Sequence, residues 1–310
     1  MYDLIIIGGG PGGVAAGIYA ARKKIKTLLI TESFGGQSLV SAEVKNWIGT
    51  KAVSGFDLGR MLEEHLRDQE DIEIITDDVV TKVEKVGSGL PTGGFRISTR
   101  DGKNFETKYI LLACGSRHRK LGIPGEKELD GKGVVYCSTC DAPIFKNKIV
   151  AVVGGGNAGL EAVHDLFPYA SKIYLIIRSD SMKGDPITQE KIKANPKVEI
   201  IYNALTQEIE GDTFVTGVKY KDSKTGDMKE LKLDGVFVEV GAIPNSDIVK
   251  GSVEFDERGQ VIVNHKTQET SAPGIWAVGD VTDVLYKQNN ISAGDAVKAV
   301  LNIYEHLSKH

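Results

Sequence analysis

Cys137 and Cys140 stand two residues apart in VYCSTCDAP, and Asp141 follows at once. They are two of only 3 cysteines in 310 residues. This spacing serves three chemistries: metal ligation, a structural disulfide, or a dithiol that cycles with its disulfide. A structural zinc site takes about four nitrogen or sulfur ligands. Cys114 and His118, a C-x3-H pair upstream, are what the chain offers to complete one. Cys114 also closes an apolar run, where it reads as a small core residue. Asp141 is either an acid–base group beside the thiols or a helix-capping aspartate. A redox pair would need electrons, which other parts of the chain would have to deliver.

Two stretches are built for that task. The chain opens with the apolar strand YDLIIIG, a small-residue helix in GGGPGGVAAGIYAARKK, and the strand KTLLITE. Gly8, Gly10 and Gly13 match G-x-G-x-x-G in a strand–turn–helix–strand frame. In that dinucleotide fingerprint the first glycine allows the tight turn and the second lets backbone approach a pyrophosphate. The third lets helix and strand pack closely. The pyrophosphate rests on the helix N-terminus, where free N–H groups favour negative charge. Glu32 ends the second strand, where an acid accepts hydrogen bonds from a ribose diol. The device returns in KIVAVVGGGNAGLEAVHDL as Gly154, Gly156 and Gly159, followed by the strand KIYLIIR. Arg178 follows Gly154 by the same 24 positions that separate Glu32 from Gly8. One glycine fingerprint is a weak signal; two in matching context predict two nucleotides, a bound flavin and a nicotinamide donor. YILLACGS and GIWAVGDVTD predict further buried strands, the second ending in Asp280. KQNNISAGDAVKAVLNIYEHL predicts a long helix starting with Ser292, Ala293 and Gly294. An aspartate in that setting can hold a ribityl chain and a flavin edge; the plain alternative is a turn aspartate.

Composition bounds the rest. The length suggests two domains. At 41% hydrophobic and 26% charged, the chain reads as an ordinary globular protein. A formal net charge of -4 without a basic block argues against nucleic acid. No apolar run approaches the roughly 18–20 residues that span a bilayer, so no membrane association is expected. MYDLIIIGGG lacks a basic leader and reads as a strand rather than a signal peptide. Three cysteines form no disulfide framework, which predicts a reducing, cytoplasmic setting.

The stretches GGGPGG, FGGQ, VKNWIG, CSTCDAP, VVGGGNAGLEA, EVGAIPNS, WAVGDVTD and YKQNNISAGDA, in this order, resemble the low-molecular-weight thioredoxin reductases. The resemblance is at least as close to the flavoprotein subunit of alkyl hydroperoxide reductase without its N-terminal thioredoxin-like domains; MKGD and YKQNNISAG lean that way. It implies an α/β fold of two Rossmann-like (three-layer ββα/βαβ) dinucleotide-binding domains, the second inserted into the first. The FAD-binding domain would comprise 1–117 and 244–310, and the NAD(P)-binding domain 118–243 would carry the C-x-x-C. GSRHRKLGIPG and VGAIPNS supply glycine- and proline-bearing crossings, and GSGLPTGG reads as a hairpin-like loop of the flavin domain. The implied FAD residues are Gly8, Gly10, Pro11, Gly12, Gly13, Glu32, Gly36, Gln37, Asn46, Gly279, Asp280, Lys287, Gln288, Asn289 and Ala293. The implied NAD(P)H residues are Gly154, Gly156, Asn157, Ala158, Glu161, Arg178 and Lys183.

The same resemblance selects redox chemistry for the cysteines and divides their work. Cys140 would exchange electrons with the flavin, Cys137 would attack a partner disulfide as thiolate, and Asp141 would shuttle the proton. Ser138 and Thr139 are read as spacers. Electrons would run from NADPH or NADH through FAD to Cys137–Cys140, with a rotation of the inserted domain between steps. The partner would be a thioredoxin- or glutaredoxin-like protein, feeding a peroxiredoxin indirectly, and the chain would form a homodimer. The donor site departs from the pattern. NADPH-specific members carry His-Arg-Arg-x-x-x-Arg, and here Ile177, Arg178, Ser179 and Lys183 stand in those places. Two cations remain to grip a 2′-phosphate, which allows NADPH without requiring it. Alternative readings are a small-molecule dithiol oxidase using oxygen, a reductase fed by ferredoxin or a deazaflavin, and a flavin-bearing sensor without turnover.

Overall fold

The computed structural model describes residues 1–41, 44–87 and 94–309, apart from the side chains of Val40, Thr139 and Cys140. It falls into two compact units, Met1–Arg117 with Ile243–His310, and His118–Ala242.

The first unit opens with β1 (Tyr2–Gly9), α1 (Pro11–Arg22), β2 (Thr27–Phe34), α2 (Gly55–Arg67) and β3 (Ile72–Ile75). Then come β4 (Val80–Val86), β5 (Gly94–Thr99), β6 (Asn104–Leu112) and, at the crossing, β7 (Ser116–His118). The second unit runs through β8 (Val134–Val135), α3 (Ser138–Asp141), β9 (Ile149–Val153), α4 (Asn157–Leu166) and β10 (Lys172–Ile176). It continues through α5 (Pro186–Ala194), β11 (Val198–Ile201), β12 (Ala204–Gly211), β13 (Val215–Asp222), β14 (Met228–Lys232) and β15 (Gly235–Val238). At the return crossing β16 (Ala242–Pro244) pairs with β7, and β17 (Ile275–Ala277) and α6 (Asn289–Ser308) complete the first unit.

In the first unit the sheet order is β3-β2-β1-β6-β5-β4, with β17 also on β6. Leu4, Ile5, Ile6 and Ile7 are all buried because β1 lies between two parallel neighbours and is covered on both faces. One face packs Leu4, Ile6 and Leu29 against Val14 and Ala16 of α1 and Ala296 and Val300 of α6. The other packs Ile5, Ile7 and Leu28 against Phe95, Ile97, Val261 and Val281. β6 is long enough to serve two partners: Phe95 pairs opposite Thr107, and Trp276 opposite Leu111. Residues 88–93, most of the predicted GSGLPTGG loop, lie outside the described residues; β4 and β5 on either side pair antiparallel.

The second unit repeats the plan. Its parallel sheet has the order β11-β10-β9-β15-β8. One face packs on α4 and neighbouring turns through Leu160, Val163, Leu166 and Phe145. The other packs on the antiparallel sheet β12-β13-β14 through Ile209, Val215, Val218 and Tyr220. Each unit is thus a three-layer α/β body around a core of parallel strands, to which β5 and β4 add antiparallel in the first unit.

Three predicted boundaries move. The strand expected to reach Asp280 ends at Ala277; Val278 N still bonds Leu112 O, and Gly279 then turns the chain into a 3-10 turn holding Asp280. The last helix begins at Asn289 rather than Ser292, because Ser292 N already donates to Gln288 O. The strand expected to reach Arg178 ends at Ile176, which leaves Arg178 exposed beyond the sheet edge.

Candidate functional site

The two glycine fingerprints have one geometry. Gly8 has φ 116° and Gly154 has φ 137°, backbone that favours glycine. A Cβ on Gly13 would lie 1.8 Å from Gly8 O, and one on Gly159 would lie 2.0 Å from Gly154 O. Helix and strand can therefore approach only because both third glycines lack side chains. The middle glycines differ in kind. A Cβ on Gly10 would meet only Gly36 Cα, at 3.8 Å, and one on Gly156 would meet nothing within 4 Å. Open backbone faces of this type are what a pyrophosphate needs. α1 and α4 start from extended Gly10 and Gly156, and Pro11 sits at the first helical position of α1, where its missing N–H costs nothing.

The predicted flavin residues of the first unit converge from distant parts of the chain. Gln37 Nε2 donates to Ser116 Oγ at 2.9 Å and to Asp280 Oδ2 at 3.3 Å. Asp280 is raised above the usual carboxylate range by burial, against a lowering by Lys287. Burial in turn lowers Lys287, whose Nζ donates to Asp280 O and Thr282 O. Asn46 Nδ2 donates to Gln288 Oε1 at 3.1 Å, and Asn289 Nδ2 to Ser38 Oγ at 2.8 Å. Gly36 faces Gly10, Gly12 packs against Ser292, Gly279 against the Ser292 side chain, and Ala293 lies in the first turns of α6. Glu32 does not end β2, which runs on to Phe34; it lies at the irregularity between the Ile7–Ile30 and Gly9–Phe34 pairs and accepts from Arg100 Nη1 at 2.9 Å. Ser38, Ser116, Arg100 and Asn290, whose Nδ2 donates to Asn46 O, were not singled out from sequence. They become visible only through pairings of residues far apart in the chain. A cradle that any Cβ would fill, beside the half-buried Asp280 carboxyl, fits an FAD.

In the second unit Asn157, Ala158 and Glu161 are exposed along the first turns of α4. The loop after β10 is tied to the glycine turn: Lys183 N donates to Gly155 O at 2.7 Å, and Asp185 N to Asn157 Oδ1 at 2.7 Å. Arg178 and Lys183 are both exposed on this loop. Among the described residues neither forms an ion pair, so both cations are available to a nucleotide phosphate. These residues fit a pyridine nucleotide.

Cys137 precedes α3 with extended backbone, its carbonyl accepts from Asp141 N at 3.0 Å, and it is disulfide-bonded. The Cys140 side chain, predicted to face the flavin, lies outside the described residues. Asp141 is half-buried, and burial pushes its carboxyl from the ordinary 3.8 up to about 6. Ser138, read from sequence as a spacer, is only 7% exposed and its hydroxyl donates to Asp165 Oδ2 at 2.9 Å. Glu239 lies just after β15. Burial, then the carboxylates of Asp165 and Glu161, push it from 4.5 up to about 8. Cys114 is a free thiol that donates to Asn245 O at 3.1 Å, and burial pushes it up to about 12. Such a thiol stays protonated and packs as core. Among the described residues no cluster of three or more His, Cys, Asp or Glu side chains could hold a metal, and no helix is long and apolar enough to cross a membrane.

The family model for the pyridine nucleotide-disulphide oxidoreductases matches residues 2–299. The chain belongs to this family. Membership brings FAD and a pyridine nucleotide as the expected cofactors of its two fingerprints. The F component of alkyl hydroperoxide reductase of Pseudomonas putida is 42% identical over 307 residues, covering 99% of this chain and 58% of that protein. A Bacillus subtilis protein named NADH dehydrogenase is 38% identical over 309 residues, covering 100% of this chain and 59% of that protein. The chain therefore spans less than two thirds of the length of these curated relatives. Among solved structures, thioredoxin reductase from Streptococcus pyogenes superposes with a TM-score of 0.81 at 33% identity, covering 100% of this chain and 99% of the other. Lactococcus lactis thioredoxin reductase gives 0.77 at 34% identity, with both chains fully covered. The resemblance drawn from the sequence motifs to thioredoxin reductases and to the hydroperoxide reductase flavoprotein is borne out.

Proposed function

We propose that this family member is an FAD-dependent disulfide reductase that draws electrons from NADPH or NADH and delivers them, through Cys137 and Cys140, to a thioredoxin- or glutaredoxin-like protein. The unit containing residues 1–117 would hold FAD, and the unit 118–242 would hold the nicotinamide donor. The observation that carries this reading is the place of disulfide-bonded Cys137. It opens α3 directly ahead of β9 and the second fingerprint, in the same compact unit. The flavin, when bound, supplies the two-electron relay between nicotinamide and disulfide.

The chain's own residues do the rest. Gly10, Gly36 and the start of α1 would receive the FAD pyrophosphate, Glu32 the ribose diol, and Asp280 with Gln37 the ribityl and flavin edge. Gly156 and the start of α4 would receive the nicotinamide pyrophosphate, with Arg178 and Lys183 reaching its ribose or 2′-phosphate. Cys137 would attack the partner disulfide as thiolate. Asp141, held near neutrality, would take up and return the thiol proton. A peroxiredoxin would be served at the next step, and cytoplasmic homodimers follow from the resemblance.

The test is an anaerobic visible-absorbance titration of the flavin-loaded chain with NADH and NADPH separately, then with a thioredoxin-fold disulfide protein. Bleaching by a nucleotide followed by reoxidation by the disulfide protein is expected. No bleaching by either nucleotide would sink the nicotinamide route. Bleaching that only oxygen reverses would turn the reading to a dithiol oxidase.

A further inference from the structure

β2 loses its regular pairing with β1 beside the first fingerprint turn. The register shifts between the Ile7–Ile30 and Gly9–Phe34 pairs. Thr31 Oγ1 donates to Ser33 O at 2.7 Å. A Cβ on Gly9 would lie 2.6 Å from Thr31 Oγ1 and 2.7 Å from Ser33 O. Thr31 and Ser33 therefore close on the glycine turn, and Glu32 between them is exposed.

A distant part of the chain reaches this carboxylate. Arg100 lies in the turn between β5 and β6, and its Nη1 donates to Glu32 Oε1 at 2.9 Å. Its Nη2 donates to Asp77 O at 2.7 Å, and its backbone N to Val79 O at 2.8 Å. Asp78, fully buried, clamps the two segments together. Its Oδ1 accepts from Val79 N at 2.8 Å and from Asp101 N at 3.2 Å, and Lys103 Nζ lies 3.6 Å from its Oδ2. Arg100 is thus held by its backbone and by one arm of its guanidinium, which leaves the other arm for Glu32. Among the described residues nothing bonds the second Glu32 oxygen, Oε2. The Arg100 and Glu32 side chains are 50% and 65% exposed. Ion pairs this exposed contribute little to folding, so stability does not account for so firm a hold.

We infer that Arg100 is a positioning residue for FAD: it holds Glu32 Oε1 so that Oε2 is presented to the ribose diol, and its charge offsets the carboxylate beside the pyrophosphate turn. A guanidinium suits this work because its planar fork bonds two acceptors at once in fixed directions. Without it Glu32 would be free to turn, and its unbalanced charge would repel the two negative charges of the pyrophosphate. The inference rests on Glu32 receiving the FAD ribose, as proposed above.

The experiment is a double-mutant cycle on FAD affinity. The full chain is stripped of flavin and titrated with FAD, and binding is read from the change in flavin fluorescence. R100A should weaken FAD binding about tenfold, the order of one charge-assisted hydrogen bond. In an E32A background, where no carboxylate remains to aim or to offset, R100A should change the affinity less than about twofold. R100K keeps the charge but has a single donor nitrogen. It should lose about threefold, and it keeps the cycle readable if R100A folds poorly. An equal loss with and without Glu32 would mean that Arg100 does not act through it and would overturn the inference. A parent chain that takes up no FAD would overturn the proposed function and this inference together. One that binds FAD as tightly without Arg100 would overturn this inference alone.

Discussion

Asp141 and Glu239 are acids that burial holds towards neutrality, at about 6 and about 8. Both lie above their unfolded values of 3.8 and 4.5, so the folded state favours the protonated forms. The stability this represents is fully present below the unfolded values and is lost as pH rises through 6 for Asp141 and 8 for Glu239. D141N and E239Q should therefore flatten the fall in melting temperature between pH 4 and pH 9, each over its own window. A melting curve whose pH dependence matches the parent would remove the linkage. For catalysis the two acids differ. At pH 7 Asp141 is mostly ionised and can accept the thiol proton. D141N should slow exchange between the reduced chain and a protein disulfide by about two orders of magnitude, in the range of general-base losses. The parent's rise in rate through pH 6 should vanish with it; retention of that rise would assign it to another group.

At the scale of the elements, the glycines of α4 separate packing from binding. Gly159 touches backbone that cannot move aside, since an added Cβ would lie 2.0 Å from Gly154 O. G159A should cost about 3 kcal/mol, the upper end of ordinary overpacking. Gly156 faces open space and has extended backbone, so G156A should change stability by less than about 1 kcal/mol. It should nevertheless weaken NAD(P)H binding, because its methyl group would occupy the pyrophosphate approach. Thermal melting beside fluorescence titration with NADPH checks both; equal losses of stability would contradict the division. These turns were legible in sequence because three glycines at fixed spacing between an apolar strand and a small-residue helix are a local pattern. The strand end at Ala277 was not, since it depends on Gly279 turning the chain. Glu239, Ser138 and Arg100 were missed for a related reason. Glu239 takes its place only because β15 pairs with β9, where Glu239 N donates to Val153 O, and no run of neighbouring residues encodes that pairing.

Across the whole molecule one three-layer plan is used twice, with opposite charge 24 positions after the first fingerprint glycine: Glu32 in one unit and Arg178 in the other. Each unit has its own core on both faces of its own sheet. A ligand that binds one folded unit should therefore stabilise that unit by mass action and the other only as far as the two unfold together. Saturating NADP+ should slow hydrogen exchange in β9, α4 and β10 while leaving β1 and α1 little changed, and loading with FAD should do the reverse. Protection that rises equally in both units with either ligand would mean that they open as one cooperative body. The same measurement ranks the donors. Arg178 and Lys183 are exposed without ion-pair partners among the described residues, and a 2′-phosphate gives both a use that NADH does not. The double variant R178A/K183A should lose about tenfold or more in NADPH affinity and much less in NADH affinity. Equal losses for the two nucleotides would place these cations on the pyrophosphate or the shared ribose, and the choice of donor would then lie with other residues of the loop from Ile177 to Asp185.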